Sequence, residues 1–150
     1  MISPLQARQW ASLWLDQAQA ADWKGWDPYD GLNLPGSRGL CAGLKWPRIA
    51  LIQFFKRSPF NFRPYVGMRP HQNPKALALF SSSAWDLSRS DTAQGLLRIL
   101  ETLGKPYGQG IGWGYPFDWQ SRAFFAPAGT PNVIVTSFTA HAFMDAYAKT

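Results

Sequence analysis

Between Gly112 and Arg122 the chain reads Gly-Trp-Gly-Tyr-Pro-Phe-Asp-Trp-Gln-Ser-Arg, in which aromatic rings alternate with an acid, an amide and a guanidinium. Sugar rings present apolar C–H faces bordered by hydroxyls, so stacked aromatics beside planar hydrogen-bonding groups match them chemically. Trp113, Tyr115 and Trp119 are therefore candidate stacking surfaces, Gln120 a candidate partner for hydroxyls, and Arg122 one for a carboxylate or phosphate. The competing explanation is that these aromatics pin a long loop to helix ends. Asp118 lies within the same run, and Asp27, Tyr29 and Asp30 lie in an earlier Gly- and Pro-rich stretch. Glycosidic cleavage commonly uses two carboxyl groups, about 5–5.5 Å apart for retention and about 6.5–9.5 Å apart for inversion. Asp118, Asp30 and Asp27 form the candidate catalytic set, with Tyr29 as a substrate contact. Both early acids also fit ordinary turn chemistry, since Asp27 precedes Pro28 and Asp30 precedes Gly31.

A second concentration of chemistry is electrostatic. From Asp30 to Asp86 there is no intervening carboxylate side chain, whereas Arg38, Lys45, Arg48, Lys56, Arg57, Arg63, Arg69 and Lys75 all fall there, and the whole chain carries a formal charge of +6. A one-signed block suits an anionic partner such as a sugar phosphate, an acidic polysaccharide, a lipid headgroup or nucleic acid; it also suits a solvated basic face. Arg63 and Lys75 are the candidate anion contacts in its densest part, where Phe60, Phe62 and Tyr65 are interleaved. Basic and aromatic residues together can hold single-stranded nucleic acid, but no recognised nucleic-acid module accompanies them.

Other chemistries find less support. Cys41 is the only cysteine, which excludes an intrachain disulfide and a multi-cysteine metal site. Two distant histidines and no Gly-rich phosphate loop give no reason to expect a metal or a cofactor. Ser137, His141 and Asp145 recur every four residues, a spacing that makes a polar helix stripe rather than a hydrolase triad. No run of about 18 uncharged apolar residues suggests a membrane span, and Met1-Ile2-Ser3-Pro4-Leu5 does not read as a secretory signal; a soluble, cytoplasmic protein is the expectation.

Helices must position these groups. Ser3-Pro4 starts a helix expected to reach Asp22, with Leu5, Trp10, Leu13, Trp14, Ala18 and Ala21 as its apolar stripe. Residues 23–43 read as a loop. A second helix fits Pro47 to Arg57, apolar nearly all round and expected to be buried on most sides. Asn73-Pro74 opens a third, reaching Asp86 or Ser88; Ser90 caps a fourth that stops at Gly104; Thr130-Pro131 opens a fifth. Residues 105–129 lack a helical pattern, and a stretch of that length is usually functional. The expected class is all-α: one domain of antiparallel helical hairpins, each burying its apolar face against the next.

The strings Trp26-Asp27-Pro28-Tyr29-Asp30-Gly31-Leu32-Asn33, Asn61-Phe62-Arg63-Pro64, Asn73-Pro74-Lys75, Gly112 to Arg122 and Thr130-Pro131-Asn132 resemble the amino-terminal part of bacterial and archaeal proteins with an (α/α) toroid, the architecture of six-hairpin glycosidases and terpenoid cyclases. The resemblance implies a carbohydrate-related role, in polysaccharide biosynthesis or glycan processing, with a glycan or sugar phosphate as ligand. A full ring needs about twelve helices, several hundred residues at ordinary helix and loop lengths. Five helices imply an incomplete toroid: a truncated gene, half of a split protein or a fragment, completed by a companion chain or by self-association. A non-catalytic helical binding or scaffold protein is the alternative.

Overall fold

A computed structural model describes residues 2–150. Its helices are α1 (Pro4–Ala20), α2 (Ser37–Leu40), α3 (Lys45–Arg57), α4 (Pro74–Asp86), α5 (Ser90–Leu103) and α6 (Val133–Lys149), with short 3-10 turns at Asp30–Asn33 and Arg63–Val66. Three small antiparallel ladders join them: β1 (Lys24–Gly25) with β2 (His71–Gln72), β3 (Lys105–Tyr107) with β4 (Gly110–Gly112), and β5 (Trp119–Gln120) with β6 (Phe125–Ala126). The chain is thus mostly helical, and residues 105–129 are built largely of two tight hairpins.

Side chains at the helix starts explain most boundaries. Ser3 Oγ accepts from the Gln6 amide while Gln6 Oε1 accepts from the Ser3 amide, a reciprocal cap that opens α1. Asn73 Oδ1 accepts from the Lys75 amide and Asn132 Oδ1 from the Val135 amide, opening α4 and α6. At α5 the expectation of a Ser90 cap is corrected. Arg89 is the cap residue, and its guanidinium instead holds Asp16 and Ser12 of α1. The reason is the three-residue turn from α4, in which Ser88 takes a left-handed conformation and the Arg89 amide donates to Ala84.

Helix α4 is the centre of the molecule. Leu77 and Ala78 pack with Leu96, Leu97 and Leu100 of α5 and Ala142 of α6, while Leu15, Ala84 and Ala93 bring α1 against the same layer. Each fully buried leucine contributes about 1.5–3 kcal/mol of transfer free energy. Helices α4 and α5 form a hairpin; α4 and α6 run parallel. The parallel register is read from three cross-contacts of equal sequence offset: Lys75 over the Phe138 ring, Ser82 donating to Asp145, and Lys149 paired with Asp86. A separate cluster of Leu32, Cys41 and Ile52, with Trp119 against it, ties α3 to the loops.

Two expectations about apolar faces are corrected. Only Ile52 and Phe55 of α3 are buried, whereas Trp46 is 65% and Phe54 57% exposed, because the helix lies on the rim with one side against the Asp30–Asn33 turn. In α1 only Leu15 is buried; Leu5, Trp10, Leu13 and Trp14 face outward. No helix among the described residues is long and apolar enough to cross a membrane.

Candidate functional site

A cleft of about 730 Å³ opens where the 105–132 segment crosses the start of α4. Its walls carry Asp27, Tyr29, Lys75, Tyr115, Trp119 and Phe124, and its lip is formed by residues 130–134 at the start of α6. The volume falls in the range of small-molecule sites. A smaller recess of about 230 Å³ adjoins it, sharing Asp27, Asn73, Ala76 and Phe117 and adding Trp23, Asp30 and His71.

The aromatic wall is rigid. Tyr115 stacks on Phe117 with centroids 5.2 Å apart, and Trp119 meets Phe124 edge-on at 5.6 Å while packing on the Leu32–Cys41–Ile52 cluster. The path of the backbone is fixed from behind: the Gly129 amide donates to the Tyr115 carbonyl (2.7 Å) and the Asn132 amide to that of Trp113 (3.0 Å). Gly114 between them has no room for a side chain, since a Cβ there would lie 2.1 Å from the Thr130 carbonyl oxygen. Opposite, Lys75 sits with its ammonium 4.7 Å from the Phe138 ring centroid, and Lys56 lies 4.4 Å from that of Tyr29.

Asp27 is the carboxylate of the cleft. One oxygen accepts from the Tyr29 amide at 2.9 Å and the other from the Asn73 side-chain amide at 3.3 Å. Burial, with the nearby charge of Asp27 and the neighbouring Tyr29, pushes the Tyr115 phenol above its ordinary range. At neutral pH the phenol is protonated, as an ordinary tyrosine is, and can donate a hydrogen bond.

The structure brings together Asp27, Tyr29, Lys75, Tyr115 and Trp119 of the residues singled out from the sequence. It puts the others, apart from the Arg122 side chain, to intramolecular use. Trp113 is buried, its indole N–H donating to the Leu100 carbonyl at 2.7 Å. Asp30 and Arg63 form a buried ion pair at 2.7 Å, and Arg63 also donates to the Asp27 carbonyl, fixing the loop that presents Asp27 and Tyr29. Burial pushes the Asp30 carboxyl up, against the downward pull of Arg63. Asp118 accepts from the Ala128 amide at 2.8 Å, and Gln120 accepts from Arg48 while donating to the Ser121 and Phe124 carbonyls; both close the β5–β6 hairpin. Arg122 is exposed outside the cleft, and its carbonyl receives Lys45. Of the three candidate catalytic acids, Asp118 lines neither cavity and Asp30 faces the smaller recess while engaged by Arg63, so Asp27 alone faces the main cleft.

Sequence reasoning did not foresee Leu79, Val133 and Ile134 in the cleft wall. The available signal was Asn73-Pro74 and Thr130-Pro131-Asn132, which mark helix starts and, once α4 and α6 lie parallel, place both starts at one end of the molecule. Ser137 bonds to the Val133 carbonyl and Asp145 to Ser82, as a polar helix stripe would. Among the described residues no three His, Cys, Asp or Glu side chains converge to hold a metal ion. No protein-family model, curated protein or solved structure matches the chain.

Proposed function

We propose that this chain is a glycan-binding helical protein, a building block of an (α/α) toroid that holds a carbohydrate or sugar phosphate in the cleft between α4, α6 and the aromatic loop. The observation that carries the reading is the convergence, in one cleft of about 730 Å³, of Tyr29, Tyr115, Trp119 and Phe124 with one carboxylate, Asp27, and one ammonium, Lys75. Flat rings take the C–H faces of a pyranose, Asp27 accepts from its hydroxyls, the protonated Tyr115 phenol donates to them, and Lys75 receives a carboxylate or phosphate substituent. The parallel α4 and α6, linked through the antiparallel α5, support the toroid part of the reading, because every second helix in a ring of stacked hairpins runs parallel.

Binding without cleavage is favoured by a specific feature. Hydrolysis commonly uses two carboxyl groups across the scissile bond, and among the described residues the main cleft presents only Asp27, itself tied to Tyr29 and Asn73. The test is titration of the chain with neutral and acidic oligosaccharides, followed by tryptophan fluorescence and calorimetry. Tyr115→Ala and Tyr29→Ala are expected to weaken affinity about tenfold each, from loss of a ring contact of about 1–1.5 kcal/mol. Lys75→Ala is expected to weaken only the acidic ligands. Equal affinity of wild type and all three variants, with folding unchanged, would remove the cleft from consideration.

A further inference from the structure

We propose that the rim formed by α3 and the segment after it is a docking face for an anionic lipid surface, separate from the cleft. Along α3 the residues Trp46, Ala50 and Phe54 recur every four positions on one exposed side, opposite the buried Ile52 and Phe55. Leu44 extends this stripe at the start of the helix, and Phe60 and Phe62 extend it at the end, where Phe62 stacks on Phe54. The result is an apolar band whose helical part, from Leu44 to Phe54, is about 15 Å long at 1.5 Å per residue. It is exposed over most of its length, with Leu44 62%, Trp46 65% and Phe60 69% accessible.

Charge decides what covers it. Arg57 is exposed at the end of the band, the exposed Lys45 and Lys56 flank it while also reaching the Arg122 carbonyl and the Tyr29 ring, and no acidic side chain occurs anywhere from residue 31 to 85. Such a band, cationic at its edges and apolar along its middle, matches the boundary between anionic headgroups and acyl chains. A nucleic acid or glycan fits less well. A glycan needs hydrogen-bonding side chains among its stacking rings, whereas Leu44, Ala50, Phe54, Phe60 and Phe62 carry none, and a single-stranded nucleic acid, which stacks base by base on rings, would leave Leu44 and Ala50 without a partner. Trp46, with the Lys45 ammonium 5.1 Å from its centroid, combines an apolar ring with a polar edge, the pairing favoured at a membrane–water boundary.

The experiment is co-sedimentation of the full chain with vesicles of phosphatidylcholine alone and of phosphatidylcholine with phosphatidylglycerol at 3:1. Binding to the mixed vesicles, weakened by salt, with little binding to neutral ones, is expected. Phe54→Ser and Trp46→Ser should each reduce it about tenfold, and Arg57→Gln about fivefold, in line with one buried aromatic and one surface charge respectively. Brominated lipid should quench tryptophan emission less in Trp46→Phe than in wild type, although that variant still binds; this readout survives if a serine variant fails to fold. Absence of binding to mixed vesicles, equal binding to neutral ones, or undiminished binding by both Phe54→Ser and Arg57→Gln would overturn the proposal. So would displacement by a single-stranded oligonucleotide at lower concentration than by free phosphatidylglycerol vesicles.

Discussion

Replacing Gly114 by alanine tests whether the aromatic loop is held as tightly as its contacts imply. A Cβ at this position would meet the Thr130 carbonyl oxygen at 2.1 Å, the Thr130 carbonyl carbon at 2.6 Å and the Gly129 carbonyl carbon at 2.7 Å. These are backbone atoms, so no rotamer change relieves the clash, and a shift of about 1 Å is required to restore ordinary contact. Such a shift pulls on the two bonds that flank Gly114, from the Gly129 amide to Tyr115 and from the Asn132 amide to Trp113. Losing both costs about 1 kcal/mol each, and overpacking adds about 1–3 kcal/mol, for a total of about 3–5 kcal/mol. In a chain of this size that lowers Tm by about 10 °C. The control is Gly25→Ala, where nothing lies within 4 Å of the added methyl and the change should stay within about 0.5 kcal/mol. Thermal unfolding followed by circular dichroism reads both. If Gly114→Ala melts with Gly25→Ala, the loop is not clamped between Trp113 and Asn132 and the rigid wall of the cleft is lost as an argument.

Three further outcomes follow from the same contacts. Trp113→Phe removes an indole donor from the Leu100 carbonyl, which keeps the Gly104 amide as a partner, and should cost about 1 kcal/mol in denaturant melts while leaving oligosaccharide affinity unchanged; a loss of affinity with intact stability would return Trp113 to the binding set. Asn132→Ala removes the cap that holds the Val135 amide and should cost about 1 kcal/mol, with faster hydrogen exchange confined to the first turn of α6. Because the Tyr115 phenol is raised in the folded protein, its contribution to stability is complete below the ordinary tyrosine value and is lost as pH rises through the folded value. Phenolate absorbance should accordingly show that the component removed by Tyr115→Phe titrates later than ordinary tyrosine, and Asp27→Asn should bring it earlier; a component at the ordinary value would refute the burial argument.

Local signals in the chain specified the helices. Ser3-Pro4 and Asn73-Pro74 act within four residues, through side chains that reach only the nearest amides, and so the starts of α1 and α4 were legible to the residue, whereas Thr130-Pro131 points to a start of α6 two residues ahead of its actual cap, Asn132. The core face of α5 was legible for the same kind of reason, since Ala93, Leu96, Leu97 and Leu100 return at helical spacing. Composition also marked the aromatic loop as the place to look. It could not assign the work within it: Trp113 and Tyr115 are two residues apart, yet one fills the core beside Leu100 and the other faces the cleft. The stripe of α1 and the outer side of α3 are as apolar as a core face and remain exposed, because periodicity reports that a helix has an apolar side without reporting what lies across from it. The joining of Asp27 to Asn73, of Asp30 to Arg63 and of Asp118 to Ala128 spans intervals that no motif encodes. Those partners are selected by the packing of α4 between α5 and α6, which brings distant loops to one end of the molecule. A carboxylate's role is set by which donors surround it there.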